Sequence, residues 1–356
     1  MEKYSVVMAG GGGTRFWPLS RQDIPKQLLN LSGNDIMINE TIKRCENLIP
    51  VEKTFIVTNK QQADKMDSSL LQNMPRSNIL IEPVGRNTAP CILFAAMHIY
   101  EKYGDGVICV FPSDHIITNS NKFLEALEIA IQIAAEVDTV LTLGIKPTYP
   151  STGYGYIKST GEPVHGRAYR LERFVEKPNL EWAREYLRSG QYYWNSGIFI
   201  WKVSVILKLF QRFLPRIHNG LKEIEGKFCG VEAVSLLERI YPSLDSISVD
   251  YGILERLDEA LVMPVDFGWN DVGSWDTLGS IFPADDNGNI LKAEHLGIDT
   301  KESIIYGGKK LIATIGIYNT VIVDTDDALL ICSRERSQDV KYIVDHLREH
   351  GKTELL

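Results

Sequence analysis

The sequence is poor in cysteine. Cys45, Cys91, Cys109, Cys229 and Cys332 are five in 356 residues, widely spaced and without a CxxC pair. That pattern excludes a disulfide scaffold and a thiolate zinc site, and reduced cytoplasmic thiols are expected. Long hydrophobic runs are missing too. The opening stretch Val6-Val7-Met8-Ala9 is too short for a signal-peptide core, and no later run approaches a membrane span, so no membrane partner is expected. Basic residues are in deficit: 38 Lys plus Arg against 46 Asp plus Glu give a net charge of -8. This argues against a surface that coats nucleic acid, while one local basic pocket for a small anion remains open. Histidine is scarce, and only His346 and His350 form a pattern, an HxxEH string with zinc-site spacing. Six residues follow to supply a third ligand, so a solvated helix face is the expected reading. Any metal is expected to be a hard ion held by carboxylates.

What is present is an ordinary globular composition in a chain longer than one core usually supports, so a large domain plus a smaller one is expected. Apolar runs at 5–9, 54–58, 78–81, 107–111 and 139–142 alternate with helical patterns at 35–48, 61–73, 88–103 and 122–135. The alternation predicts an α/β, Rossmann-like, mostly parallel mixed sheet flanked by helices. From about residue 152 strand-like pieces with polar loops predict a mixed extension of that sheet, carrying a second ligand. A turn cluster, Asp285-Asp286-Asn287-Gly288-Asn289, marks a boundary. Beyond it, short β-branched runs end in an amphipathic helix, which predicts a small β-rich domain closed by a helix. The expected division is 1–284, with halves 1–150 and 151–284, then 285–356.

The most informative string is Gly10-Gly11-Gly12-Gly13-Thr14-Arg15-Phe16-Trp17-Pro18, followed by Pro25-Lys26. Glycines after a first strand let backbone N–H groups turn toward an anion, Arg15 offers a forked donor, and Lys26 a mobile point charge. It is neither a P-loop, lacking Gly-Lys-Ser/Thr, nor a dinucleotide fingerprint, since Arg15 stands where the third glycine belongs.

In Phe111-Pro112-Ser113-Asp114-His115, Asp114 follows a hydrophobic strand, where it either caps the next helix or holds a metal that carries phosphates. Asp271, in Gly268-Trp269-Asn270-Asp271-Val272-Gly273, offers the second carboxylate such a cation takes. In Arg173-Phe174-Val175-Glu176-Lys177-Pro178 neighbouring strand residues point to opposite faces, so Glu176 and Lys177 need not neutralise each other. One would accept from sugar hydroxyls and the other meet a phosphate, unless this is simply an exposed strand end. Gly155 permits close approach of a bulky ligand, and Asn195 can donate and accept to hydroxyls.

These strings, with Glu82-Pro83-Val84-Gly85-Arg86-Asn87-Thr88-Ala89-Pro90, resemble the sugar-phosphate nucleotidylyltransferases over nearly the whole length. Within that family the chain is most similar to members that transfer GMP from GTP to mannose 1-phosphate, releasing GDP-mannose and pyrophosphate. The resemblance implies Mg²⁺ held by Asp114 and Asp271, with Arg15 and Lys26 on the GTP phosphates. It further implies Gly10, Gly11, Gly12, Gly13, Thr14, Glu82, Arg86, Asn87 and Thr88 around the nucleotide, and Gly155, Glu176, Lys177 and Asn195 around the sugar phosphate. A homodimer and a short left-handed β-helix at the C-terminus belong to the same expectation. The chain departs from its relatives at Gly12, Phe16 and Ser113, changes that should not alter the chemistry. Longer members carry a further barrel with isomerase activity, which is not expected of a chain that ends at Leu356.

Guanine presents N1–H and a 2-amino group side by side, so Glu82 could read the base with two acceptor oxygens, or else pair with Arg86 on the surface. The rival readings are a catalytically silent sugar-nucleotide-binding relative and a transferase for another sugar or base.

Overall fold

The computed structural model describes residues 1–66, 69–228, 230, 232–257 and 259–356. Cys229, expected to be a reduced thiol, lies outside the described residues. The chain forms two compact units, each discontinuous in sequence. The first comprises 1–10, 38–113 and 119–269; the second comprises 11–37, 114–118 and 270–356.

The first unit is built on β1 (Lys3–Met8), β2 (Thr54–Asn59), β3 (Ile79–Glu82), β4 (Val107–Pro112), β5 (Val140–Ile145), β6 (Tyr156–His165), β7 (Ala168–Val175), β8 (Tyr192–Lys202) and β9 (Ala260–Val265). They form one sheet in the order β3-β2-β1-β4-β8-β5-β9-β7-β6, with β6 also pairing β8. The β3-β2-β1-β4 half is parallel, as the strand-helix alternation predicts, and antiparallel β8 turns the sheet into a mixed one. β4 reads as a continuous apolar run because both its faces are covered. Ile108 and Val110 belong to the core that includes Ile92 and Ile99 of the helix Thr88–Tyr103, whereas Phe111 meets Phe123 of the helix Ser120–Glu136. Successive residues point to opposite faces, so each helix covers one side.

Met8 pairs with Pro112, so the carboxyl ends of β1 and β4 are level. The chain leaves the first unit there, after Gly10 and after Ser113.

The second unit carries β10 (Ile290–Lys292), β11 (His295–Ile298), β12 (Ile304–Tyr306), β13 (Ile312–Ile315), β14 (Thr320–Asp324) and β15 (Leu329–Ser333). β10, β12 and β14 pair in parallel, β15 closes that sheet antiparallel, and β11 pairs with β13 in parallel. Each turn of chain returns beside the previous one, as in a β-solenoid, and the helix Val340–Glu349 follows the last strand. The division expected at 284/285 does not match these units. Phe16, Trp17, Leu29 and Leu31 share one core with Trp275, Leu278, Ile290 and Val340, and Trp17 Nε1 donates to the Leu355 carbonyl at 2.8 Å. Hydrophobic pattern reports which residues are buried, not which distant core receives them.

Candidate active site

In the second unit a polar pocket of about 250 Å³ is lined by Gly13, Thr14, Arg15, Phe16, Lys26, Asp114, His115, Asp271, Val272 and Gly273. The glycine run is tied back through its carbonyls. Gly13 accepts from the Ser20 hydroxyl at 2.7 Å and from Phe16 N–H at 3.0 Å, while Gly11 accepts from Gln27 Nε2 at 3.2 Å. Gly13 has φ of 62° and its missing Cβ would fall 2.4 Å from Lys26 Cβ, so only glycine fits. A Cβ on Gly11 or Gly12 would meet nothing within 4 Å. The fold does not require glycine at those two positions, and what their bareness provides is open space along the loop.

Lys26 is not the mobile charge expected. Its side chain is only 6% exposed, and Nζ donates to Asp114 Oδ2 at 2.9 Å and to the Asp271 carbonyl at 2.6 Å. Pro25 and a short 3₁₀ turn, Lys26–Leu28, fix its backbone, and the packing that forbids a Cβ on Gly13 fixes its stem. Two of the three ammonium hydrogens are spoken for, leaving one for a phosphate. Burial by itself would raise the Asp114 carboxyl, but the Lys26 ammonium and His115 outweigh it and hold the group below the ordinary carboxylate range. Asp114 is therefore an ionised acceptor. Asp271 lines the same pocket, and a Cβ on Gly273 would come within 3.2 Å of its Oδ2. Two carboxylates offering hard oxygens fit a divalent cation such as Mg²⁺. Arg15 is exposed at this pocket.

The remaining expected residues lie in the first unit. Glu82 closes β3 and is 4% exposed. The surface pairing with Arg86 is not formed. Arg86 donates to the Pro242 carbonyl, and Glu82 Oε1 accepts from the Tyr241 hydroxyl. Oε1 keeps a second lone pair beside that bond, and Oε2 lies 3.5 Å from where a Gly10 Cβ would be, so the carboxyl retains acceptor capacity for a base. Burial pushes its carboxyl up to about 7 despite the Tyr241 hydrogen bond. Asn87 (φ 67°) accepts from Thr88 N–H through Oδ1 at 2.8 Å, and Thr88 Oγ1 accepts from Val249 N–H at 2.9 Å.

Glu176 and Lys177 also differ from expectation. The strand ends at Val175, so alternation no longer applies; Lys177 turns left-handed with φ 44°, and its Nζ reaches Glu176 Oε1 at 2.8 Å. The two charges do pair, with Glu176 nearly buried and Lys177 59% exposed. Burial opposes the Lys177 charge, yet the Glu176 bond and nearby Asp250 raise its pKa. A Cβ on Gly155 would sit 2.6 Å from Glu176 Oε2 and 3.0 Å from Phe174 Cζ, so a side chain there would displace the carboxylate. Asn195 N–H donates to the Gly155 carbonyl at 2.8 Å, and Asn195 Nδ2 donates to Asp250 Oδ1 at 2.8 Å.

Sequence reading passed over Tyr241, Asp250 and the pocket-lining role of His115. Asp250 follows the capping Ser248 and reads as an ordinary helix-start acid, whereas Tyr241 carries no signal of its nearness to Glu82. His346 and His350 do find a third neighbour, Glu349, within 4.8 Å, on the exposed face of the terminal helix. Among the described residues no helix is long and apolar enough to cross a membrane.

Residues 4–288 match the family described as nucleotidyl transferase, and 293–347 match the MannoseP isomerase/GMP-like beta-helix domain. The chain is 41% identical over 354 residues to a mannose-1-phosphate guanylyltransferase of Escherichia coli, covering 98% of this chain and 74% of that protein. It is 40% identical over 351 residues to the xanthan biosynthesis protein XanB of Xanthomonas campestris pv. campestris, with the same two coverages. The crystal structure of a mannose-1-phosphate geranyltransferase from Thermus thermophilus superposes with a TM-score of 0.87 at 34% identity, over 98% of this chain and 100% of that one.

Proposed function

The chain belongs to the nucleotidyl transferase family, and on that premise we propose that it transfers GMP from GTP to mannose 1-phosphate, giving GDP-mannose and pyrophosphate. A phosphate oxygen of mannose 1-phosphate attacks the α-phosphorus of GTP, and the bond from that phosphorus to the bridging oxygen of the pyrophosphate breaks. The attacking phosphate is already anionic at neutral pH and needs no side-chain base. Positioning and charge neutralisation remain, and orientation alone can recover roughly 7 to 11 kcal/mol.

Supporting this reading is the tethered Lys26, which brings Asp114 and the Asp271 backbone to one ammonium inside the glycine-loop pocket. Arg15 and the remaining Lys26 hydrogen are donors for nucleotide phosphates. Lys26 also holds the Asp114 carboxyl below the ordinary carboxylate range. A divalent cation, Mg²⁺ in this proposal, would be held by Asp114 and Asp271 and when bound would neutralise phosphate charge. Gly10, Gly11, Gly12, Gly13 and Thr14 form the loop along the phosphates. Glu82 and the stretch Arg86, Asn87 and Thr88 take the base side; Gly155, Glu176, Lys177 and Asn195 take the sugar phosphate.

The proposal extends to a homodimer. Leu296, Ile298 and Ile315 are 61%, 55% and 73% exposed, and Ile298 pairs with Ile315 across β11 and β13, an apolar face for a second copy. A cytoplasmic setting agrees with the free, buried Cys45, Cys91 and Cys109. The reaction is tested by pyrophosphate release over a panel of nucleotides and sugar 1-phosphates. GTP with mannose 1-phosphate should be fastest, and Asp114→Asn or Asp271→Asn should lower turnover at least ~100-fold in a folded protein. Near-normal turnover in either variant, with unchanged Mg²⁺ dependence, would remove the two-carboxylate site.

A further inference from the structure

Asn195 was the residue expected to exchange hydrogen bonds with sugar hydroxyls, yet its amide is largely committed. Its Oδ1 accepts from Gly197 N–H at 3.3 Å, and its Nδ2 donates to Asp250 Oδ1 at 2.8 Å. A side chain held at both ends of its amide acts as a bracket, and what this bracket aims is the Asp250 carboxylate. The backbone below Asp250 is fixed as well. Ser248 Oγ accepts from Tyr251 N–H at 3.2 Å, Thr88 Oγ1 accepts from Val249 N–H, and the Ile247 carbonyl accepts from Ala89 N–H at 3.1 Å.

Asp250 is half-buried and close enough to Glu176 and Lys177 to feel both charges. The cluster around Gly155 thus holds two carboxylates against one ammonium, and that ammonium bonds Glu176. Among the described residues Asp250 accepts only from Asn195 and its own backbone N–H, leaving acceptor capacity unused. A recess rich in acceptors and poor in donors favours a ligand that brings several O–H groups, because each such bond relieves a partly desolvated carboxylate. The hydroxyls of a sugar fit that need.

We propose that Asp250 is a specificity-determining residue of the sugar side, accepting a hydrogen bond from one hydroxyl of the sugar 1-phosphate while Asn195 positions it. The proposal rests on the reaction assigned above.

The test is steady-state kinetics of the full-length chain with mannose 1-phosphate and its 2-, 3-, 4- and 6-deoxy analogues, for the wild type, Asp250→Asn and Asp250→Ala. Asp250→Asn keeps the shape and the oxygen that faces Asn195, so it serves if the alanine variant fails to fold. The expected result is a KM for mannose 1-phosphate raised ~10- to 100-fold, a KM for GTP within about twofold, and one deoxy analogue whose wild-type penalty disappears in the variant. A sugar KM within twofold of wild type, or deoxy penalties that all persist in the variants, overturns the role of Asp250 alone. A wild type inactive on every sugar 1-phosphate overturns the assigned reaction and this proposal with it.

Discussion

Lys26 and Asp114 form an ion pair of 2.9 Å in which the ammonium is buried and the carboxylate is about a third exposed. The lysine does more to define this pocket than a phosphate contact would, since it also lowers the pKa of the acid beside it.

Lys26→Met should therefore cost about 1 to 3 kcal/mol at pH 7 by leaving Asp114 without its donor. The pH dependence supplies the sign. Because the folded Asp114 pKa is depressed, its contribution is present above the unfolded value near 4 and is lost as pH falls through the folded value. Denaturant unfolding below pH ~4 should show this acid loss in the wild type and its absence in Lys26→Met. Identical acid limbs would mean that the pair does not lower the Asp114 pKa.

Gly13→Ala and Gly12→Ala should separate sharply. At Gly13 the left-handed φ of 62° costs an alanine roughly 1 to 2 kcal/mol, and the 2.4 Å approach to Lys26 Cβ adds to it. Gly12→Ala should keep the wild-type midpoint, with its effect confined to GTP binding. Thermal unfolding with nucleotide kinetics reads both quantities.

Lys177→Ala should raise the KM for mannose 1-phosphate far more than the KM for GTP, and Arg15→Ala should do the reverse. Lys177 stands at the Glu176–Asp250 cluster, whereas Arg15 lines the glycine-loop pocket. Kinetics with each substrate varied in turn decide it, and equal effects of each variant on both substrates would dissolve the division.

Glu82→Gln should flatten a slope at neutral pH. A carboxyl raised to about 7 binds its proton more tightly folded than unfolded, so its contribution is full below about 4.5 and is lost as pH rises through about 7. The wild type should lose on the order of 3 kcal/mol from this group across that window, and the variant should not. Parallel stability curves for the two proteins between pH 4.5 and 8 would contradict it.

Local pattern carried much of the fold. The helix Thr88–Tyr103 is visible in its apolar spacing, and β1, β2 and β4 in their β-branched runs, because burial on both faces leaves a dense hydrophobic signature. The chemistry-bearing strings were legible because glycines and paired charges are costly where they do nothing. Three things were not. Period-2 alternation ended one residue before Glu176, so it could not say that Lys177 would turn back. The tie between Tyr241 and Glu82 spans 159 positions. The spans 290–292 and 295–298 were too short to register as strands, being defined by parallel neighbours rather than by their own length.

The bond from Trp17 to the Leu355 carbonyl matters to anyone who would alter the C-terminus. Leu356 is itself buried in the core that holds Phe16, the residue beside Arg15. A substitution at Leu355 or Leu356 would act on the buttress of the glycine-loop pocket. Trimming the last turn removes the acceptor of Trp17 Nε1 and the buried Leu356, so stability and nucleotide binding should fall together.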